Sequence, residues 1–377
     1  MSDASQQPPP QLGYRTDPRA SWLELFFDLV FVAAVAALAD LLHHDHSISG
    51  LVVFAALFEP VWWAWMGYTW YATGFGADDR VARIALLAAM CGVAIMAAGV
   101  DGAAHGDSGT FVGAYAGLLF LLAALYARAW RRFPEARPLT VRYGIGDALG
   151  AALWLASLVL DEGVRPVLWG VAMAVLLLTP VWAVFSLDRT AHDVSHIAER
   201  YGLFTIIVLG ESVVVTVAGL DVGSSVDAIL VALVGFAIAA TIWWVYFDRW
   251  RAMPGSHQAA GFVWAQGHFF VFAGIAAAAI GVELLIEAAA HSEPLDLDDR
   301  LPLGAGLAAY LMAMATIRAA TRRADWVVYS RLAAAGVVLA LALAGGLEPL
   351  ALIALSGVAV VGEASIEMLR APPMASG

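Results

Sequence analysis

Apolar runs of about twenty residues recur from one end of this chain to the other, and they limit what it can fold into more than any motif does. The hydrocarbon core of a bilayer is about 30 Å thick, and an α-helix needs about twenty consecutive apolar residues to cross it. Twelve such runs are read at 22–42, 50–72, 81–100, 109–128, 139–160, 166–187, 199–219, 226–247, 259–286, 301–320, 326–345 and 349–369. In lipid every backbone polar group must be satisfied within the segment, so runs of this length fold as helices. The connections are short, which makes consecutive helices antiparallel neighbours. The expected fold is all-α, a polytopic membrane protein of about twelve transmembrane helices.

Composition agrees. Hydrophobic residues make up 61% of the 377 and charged residues only 14%, with a mean hydropathy of +0.77. Soluble domains carry roughly a quarter charged residues, so this chain lacks the polar coat that water demands. The formal charge of −12 belongs mostly to loops and speaks against a nucleic-acid partner. Cys91, the single cysteine, lies in an apolar run, which excludes an intrachain disulfide and a cysteine-based metal site. Residues 1–20 are polar and Pro/Gln-rich, and the first apolar run is too long for a signal-peptide core, so no cleavable signal is read.

Orientation follows from arginine, since the chain has no lysine. In the twelve-span arrangement eighteen of the twenty arginines fall on one side, and only Arg165 and Arg300 on the other. The positive-inside rule then places both termini in the cytoplasm.

The chain also reads as two halves. Span one opens Glu24-Leu25-Phe26-Phe27-Asp28 and span seven Glu199-Arg200-Tyr201-Gly202-Leu203-Phe204; span two ends on Trp62, Trp63, Trp65 and Tyr68, span eight on Trp243, Trp244, Tyr246 and Trp250. Six spans return the chain to its starting side, so two such units run parallel, with a natural place for a pathway between them. The expected organisation is a disordered cytoplasmic tail at 1–20, a six-helix repeat at 21–187, a linker at 188–198, a second repeat at 199–370 and a tail at 371–377.

Ionisable residues inside the spans are the functional candidates, because a central Asp or Arg costs about 2.5–3.5 kcal/mol to insert. Glu24 and Asp28 lie four apart, hence on one helix face. Glu59 precedes Pro60 near mid-depth, Asp147 sits beside Gly144 and Gly146, and Glu211 and His268 lie near the midplane, where together they would form a proton relay. Glu363 is followed one turn later by Glu367. The plainer reading is that these are structural pairs: Arg142, Arg200, Arg318 and Arg331 near the inner helix ends could neutralise Glu24, Asp147, Glu363 or Glu367. His43, His44 and His46 in the first external loop are candidate metal ligands, or simply an exposed polar turn. His192 and His196 have the spacing of a zincin helix but lack its Glu. Gly113 and Gly117 form a small-residue face suited to helix packing. No nucleotide loop, nucleophile elbow or other catalytic set is present.

Two strings, Trp22–Leu42 (WLELFFDLVFVAAVAALADLL) and His196–Val214 (HIAERYGLFTIIVLGESVV), resemble the signatures of the bacterial low temperature requirement protein A (LtrA) family, and His268 after Trp264 fits its ninth span. The likeness covers about residues 20–370 and implies a multi-pass protein of the bacterial plasma membrane. The family name records a growth phenotype and names no activity. A fainter resemblance is to the endolysosomal potassium/proton channels, which also have two six-span repeats. Their first-helix Arg and Phe-Ser-Asp pattern is replaced here by Glu24 and Phe26-Phe27-Asp28, and span seven has Leu203 where their Asp would fall.

The expected function is therefore a transporter or channel for a cation or protons, lined by acids and His268. The alternatives are an intramembrane enzyme or a metal- or cofactor-binding membrane protein using the same acids, and a stress-related sensor or scaffold in which they only hold helices together. The expected partners are the lipid bilayer and a small cation or proton; a homo-oligomer is compatible with the sequence, and no cofactor is read from it.

Overall fold

The computed structural model describes residues 21–76, 79–184, 194–220, 225–250, 258–321 and 324–370. The two tails, linker residues 188–193, His192, Arg15, Arg19, Arg189, Arg251, Arg322 and Arg323 lie outside them. The described residues form thirteen α-helices and no strand: α1 Trp22–His44, α2 Ile48–Phe75, α3 Arg80–Ala98, α4 Val100–Ala104, α5 Gly109–Arg132, α6 Arg137–Ser157, α7 Arg165–Val184, α8 Val194–Ala218, α9 Val226–Val245, α10 Gln258–His291, α11 Leu297–Thr321, α12 Trp326–Leu343 and α13 Pro349–Arg370. With the single-turn α4 set aside, twelve long helices stand one for one on the twelve apolar runs. Eleven are long and apolar enough to cross a membrane. The exception is α6, whose 21 residues suffice in length but include Arg137, Arg142 and Asp147. This is the architecture of a multi-pass membrane protein.

Several helix ends have explicit caps. Ser21 and Glu24 form a capping box at the start of α1: the Ser21 amide donates to Glu24 Oε2 at 2.7 Å and the Glu24 amide to Ser21 Oγ at 3.3 Å. Asp79 caps α3 by accepting from the amides of Val81 and Ala82, both at 3.0 Å. Gly76, just past α2, has φ +77°, the left-handed conformation that ends many helices. Pro60 does not break α2, which runs on for fifteen residues beyond it. The structure departs from expectation at α8, which starts at Val194, so residues 194–198 are helix and not linker. Ile197 and Ala198 are buried there, and that apolar face extends the helix.

By contacts the chain divides into two compact units, Met1–Val30 with Trp63–Arg200, and Phe31–Trp62 with Tyr201–Gly377. In the first, α3 packs on α5, α5 on α6 and α6 on α7. Aromatic side chains fill the contacts: Trp154 meets Tyr115 edge-on and stacks on Trp169, each at 5.0 Å between ring centroids. Asp79 ties α3 to α5 through Arg128 and Arg132, both at 2.7 Å. Gly113 and Gly117 lie on an exposed face of α5, and a Cβ added at either would meet nothing within 4 Å, so no helix packs against them among the described residues. In the second unit α10 and α11 lie closest. Gly274 and Gly281 face Gly306 and Leu303 across the contact, and a Cβ on Gly281 would collide with the Leu303 backbone. Small residues permit that approach, which drives helix association where lipid removes the hydrophobic incentive.

Candidate functional site

The first unit buries a compact charge cluster built from two i, i+4 pairs. Glu24 and Asp28 project from α1, His196 and Arg200 from α8; Arg200 and both acids are 1% exposed and His196 is 5% exposed. Arg200 is the hub. Its Nη2 donates to Asp28 Oδ1 at 2.5 Å and to Thr69 Oγ1 at 3.4 Å, and its Nη1 lies 3.5 Å from Glu24 Oε1. The same Glu24 oxygen is 3.4 Å from His196 Nε2, while Oε2 is held by the capping box. Trp65 of α2 donates its indole N–H to Asp28 Oδ1 at 2.7 Å, and the Arg200 guanidinium lies 6.0 Å from the Phe27 ring centre. Two carboxylates therefore share one guanidinium, with an imidazole at hand to carry a second positive charge. Such a set can lock helices together, and His196 and Glu24 are placed to exchange a proton.

A second cluster joins the end of α11, the start of α12 and the end of α13. Arg318 binds Asp325 through Nε (2.9 and 3.0 Å) and Nη2 (2.5 Å), and reaches Glu367 at 3.3 Å. Arg331 binds Glu367 and lies 3.4 Å from Glu363, which also accepts from Ser330 at 3.2 Å. Asp325, at the start of α12 and outside the apolar span, has its carboxyl held below the usual carboxylate range, chiefly by the Arg318 hydrogen bond.

Other expected residues stand apart from these clusters. Both Glu59 carboxyl oxygens are buried and have no hydrogen-bond partner among the described residues. Asp147 is 3% exposed, its Oδ2 has no partner, and its surroundings are the rings of Tyr68, Tyr126 and Tyr143. The arginine expected beside it, Arg142, lies instead over the Trp182 ring at 5.6 Å. Glu211 is half-buried, and the charged group it faces is Glu283 of α10. His268 is fully engaged elsewhere: Nδ1 donates to the Trp264 carbonyl at 2.6 Å, and the Tyr246 hydroxyl donates to Nε2 at 3.0 Å. No hydrogen bond joins Glu211 to His268 among the described residues.

The three loop histidines do not converge on one point. His44 Nδ1 returns to the Asp40 carbonyl at 2.8 Å, and His46 pairs with Asp299 at 3.2 Å. His43 instead faces Glu283 and Glu287 of α10, at 3.2 and 3.8 Å. Sequence reasoning missed Glu283, Glu287, Trp65, Thr69 and Tyr246. For the glutamates a signal was present, since they repeat the i, i+4 spacing of Glu24 and Asp28. A lone indole or hydroxyl in an aromatic-rich span carries no such mark.

Comparison with known proteins places the chain. An uncharacterized protein of Rhizobium meliloti (strain 1021) is 28% identical over 287 residues, covering 70% of this chain and 68% of that protein. The family described as bacterial low temperature requirement A protein (LtrA) matches residues 19–364, which hold every long helix in whole or nearly so. This integral membrane protein belongs to the LtrA family.

Proposed function

We propose that this LtrA protein moves protons or a small cation across the bacterial plasma membrane, with both termini in the cytoplasm and two parallel six-helix halves. The observation that carries the reading is Glu59. Within this one molecule Glu24, Asp28, Glu363 and Glu367 all have an arginine partner, whereas Glu59 lies about 18 Å along α2 with two buried, unpartnered carboxyl oxygens. A structural acid at that depth comes with a counter-charge; a carboxyl that takes up and releases a cation or proton needs its oxygens free. Asp147 repeats the pattern in the first unit, and Glu211 offers a third carboxyl near mid-span. Glu24, Asp28 and Glu363, bound by arginine, serve in this reading as electrostatic latches beside the pathway.

The test is pH-driven and potassium-driven flux in proteoliposomes. Glu59→Gln keeps the shape of the side chain and removes its charge, so purified yield and melting temperature should hold while flux falls at least about tenfold, equal to 1.4 kcal/mol of barrier. Full flux in Glu59→Gln, with Asp147→Asn and Glu211→Gln equally unaffected, would show these carboxyls to be structural and end the transport reading.

A further inference from the structure

We propose that His43, Glu283 and Glu287 form a binding site for a divalent transition-metal ion where α1 and α10 end. Glu283 and Glu287 are four apart on α10 and so share one face, and that face meets the last turn of α1 at His43. One donor atom from each residue can be chosen so that all three lie within 4.8 Å of one another. His43 Nδ1 stands 3.2 Å from Glu283 Oε2. Two ligands bound at about 2.0–2.2 Å to one ion sit at such a separation. The same nitrogen is shut off from solvent, and among the described residues Glu283 alone faces it. An imidazole lone pair so placed is a ligand position.

Charge points the same way. Glu24, Asp28, Glu363 and Glu367 are each answered by an arginine. Here Glu283 and Glu287 face His43, Glu211 adjoins Glu283, Asp40 pairs with His44, and no arginine pairs with any of these acids among the described residues. A dication balances two carboxylates and a neutral imidazole. The mixed nitrogen and oxygen donors suit Zn²⁺, Mn²⁺ or Fe²⁺ and suit Mg²⁺ or Ca²⁺ poorly, since those prefer all-oxygen shells. Side-chain exposures of 28% for His43, 14% for Glu283 and 45% for Glu287 leave an entry from water. Both helices end on the side opposite the arginine-rich loops, so the ion would arrive from outside.

The experiment uses the purified full-length protein, stripped with a chelator and titrated with ZnCl₂ or MnCl₂ against MgCl₂ by calorimetry and thermal shift. One equivalent of Zn²⁺ or Mn²⁺ should bind and raise the melting temperature, with no matching response to Mg²⁺. His43→Gln and Glu283→Gln should each weaken binding at least tenfold, His44→Gln should not, and metal-free melting temperatures check that each variant folds. If a variant misfolds, Co²⁺ absorption of wild-type protein reports imidazole ligation directly. Absence of stoichiometric binding, or wild-type affinity in His43→Gln, overturns the site. Binding is read without flux, so Glu59→Gln should bind metal normally and the two proposals fail separately.

Discussion

At the residue scale, Glu24 does two jobs with two oxygens: one closes the cap of α1 and the other faces Arg200 and His196. Removing one partner from a buried pair typically costs about 3–5 kcal/mol, because the other charge is left stranded. The cluster predicts unequal losses. Arg200→Gln strands two carboxylates and should sharply reduce folded yield and melting temperature. Asp28→Asn leaves Glu24 and Arg200 paired one to one and should cost clearly less; equal losses would mean that Arg200 is not the hub. The half-exposed Asp79 offers a pH-dependent counterpart. Although partial burial works against ionisation, the amide of Ala82 and the guanidinium groups of Arg128 and Arg132 prevail and hold its carboxyl at about 2 against a usual 3.8. Its folded-state affinity for protons is thus depressed, so its stabilisation is complete above pH 3.8 and is lost as pH falls through about 2. The melting difference between wild type and Asp79→Asn should shrink across that window. The acids of the Arg200 cluster were legible from i, i+4 spacing. So were their partners in principle, since His196 and Arg200 repeat it, but Trp65 and Thr69 were not, because only the assembled site turns an indole and a hydroxyl into ligands.

At the element scale, each apolar run became a helix because lipid leaves the backbone no other way to satisfy itself. What hydropathy could not give was the ends. α8 starts five residues before its expected run because a buried face continues past the apolar stretch, and α10 continues to His291 although its last turns carry Glu283 and Glu287. Nor could it tell which glycines matter. Gly113 and Gly117 have the spacing of a packing motif and face outward, whereas Gly281, with no motif to announce it, sits against the Leu303 backbone. Gly281→Val should therefore force α10 and α11 apart and lower folded yield and melting temperature, while Gly117→Val should leave both nearly unchanged. Size-exclusion profiles and thermal unfolding in one detergent compare them directly.

At the scale of the whole molecule, the arginine distribution predicts which loops face which compartment. In a Cys91→Ala background, single cysteines at the exposed Asp45 and Asp296 should react with an impermeant thiol reagent from outside, and cysteines at Glu135 and Ala324 only after permeabilisation. Reversal at either set overturns the orientation. Ala136, equally well placed by sequence, is buried and would report nothing. The length of α10 bears on how such a molecule meets its bilayer. From Gln258 to Val282 it runs 25 residues without a charge, about 37 Å at 1.5 Å per residue against a hydrocarbon layer of about 30 Å. That surplus is a hydrophobic mismatch, relieved by leaning the helix or by stretching the surrounding acyl chains, at a fraction of a kcal/mol per ångström. Because α10 is the most buried of the spanning helices, lipid thickness reaches it, and the glutamates at its far end, through the helices packed around it, with no ligand involved.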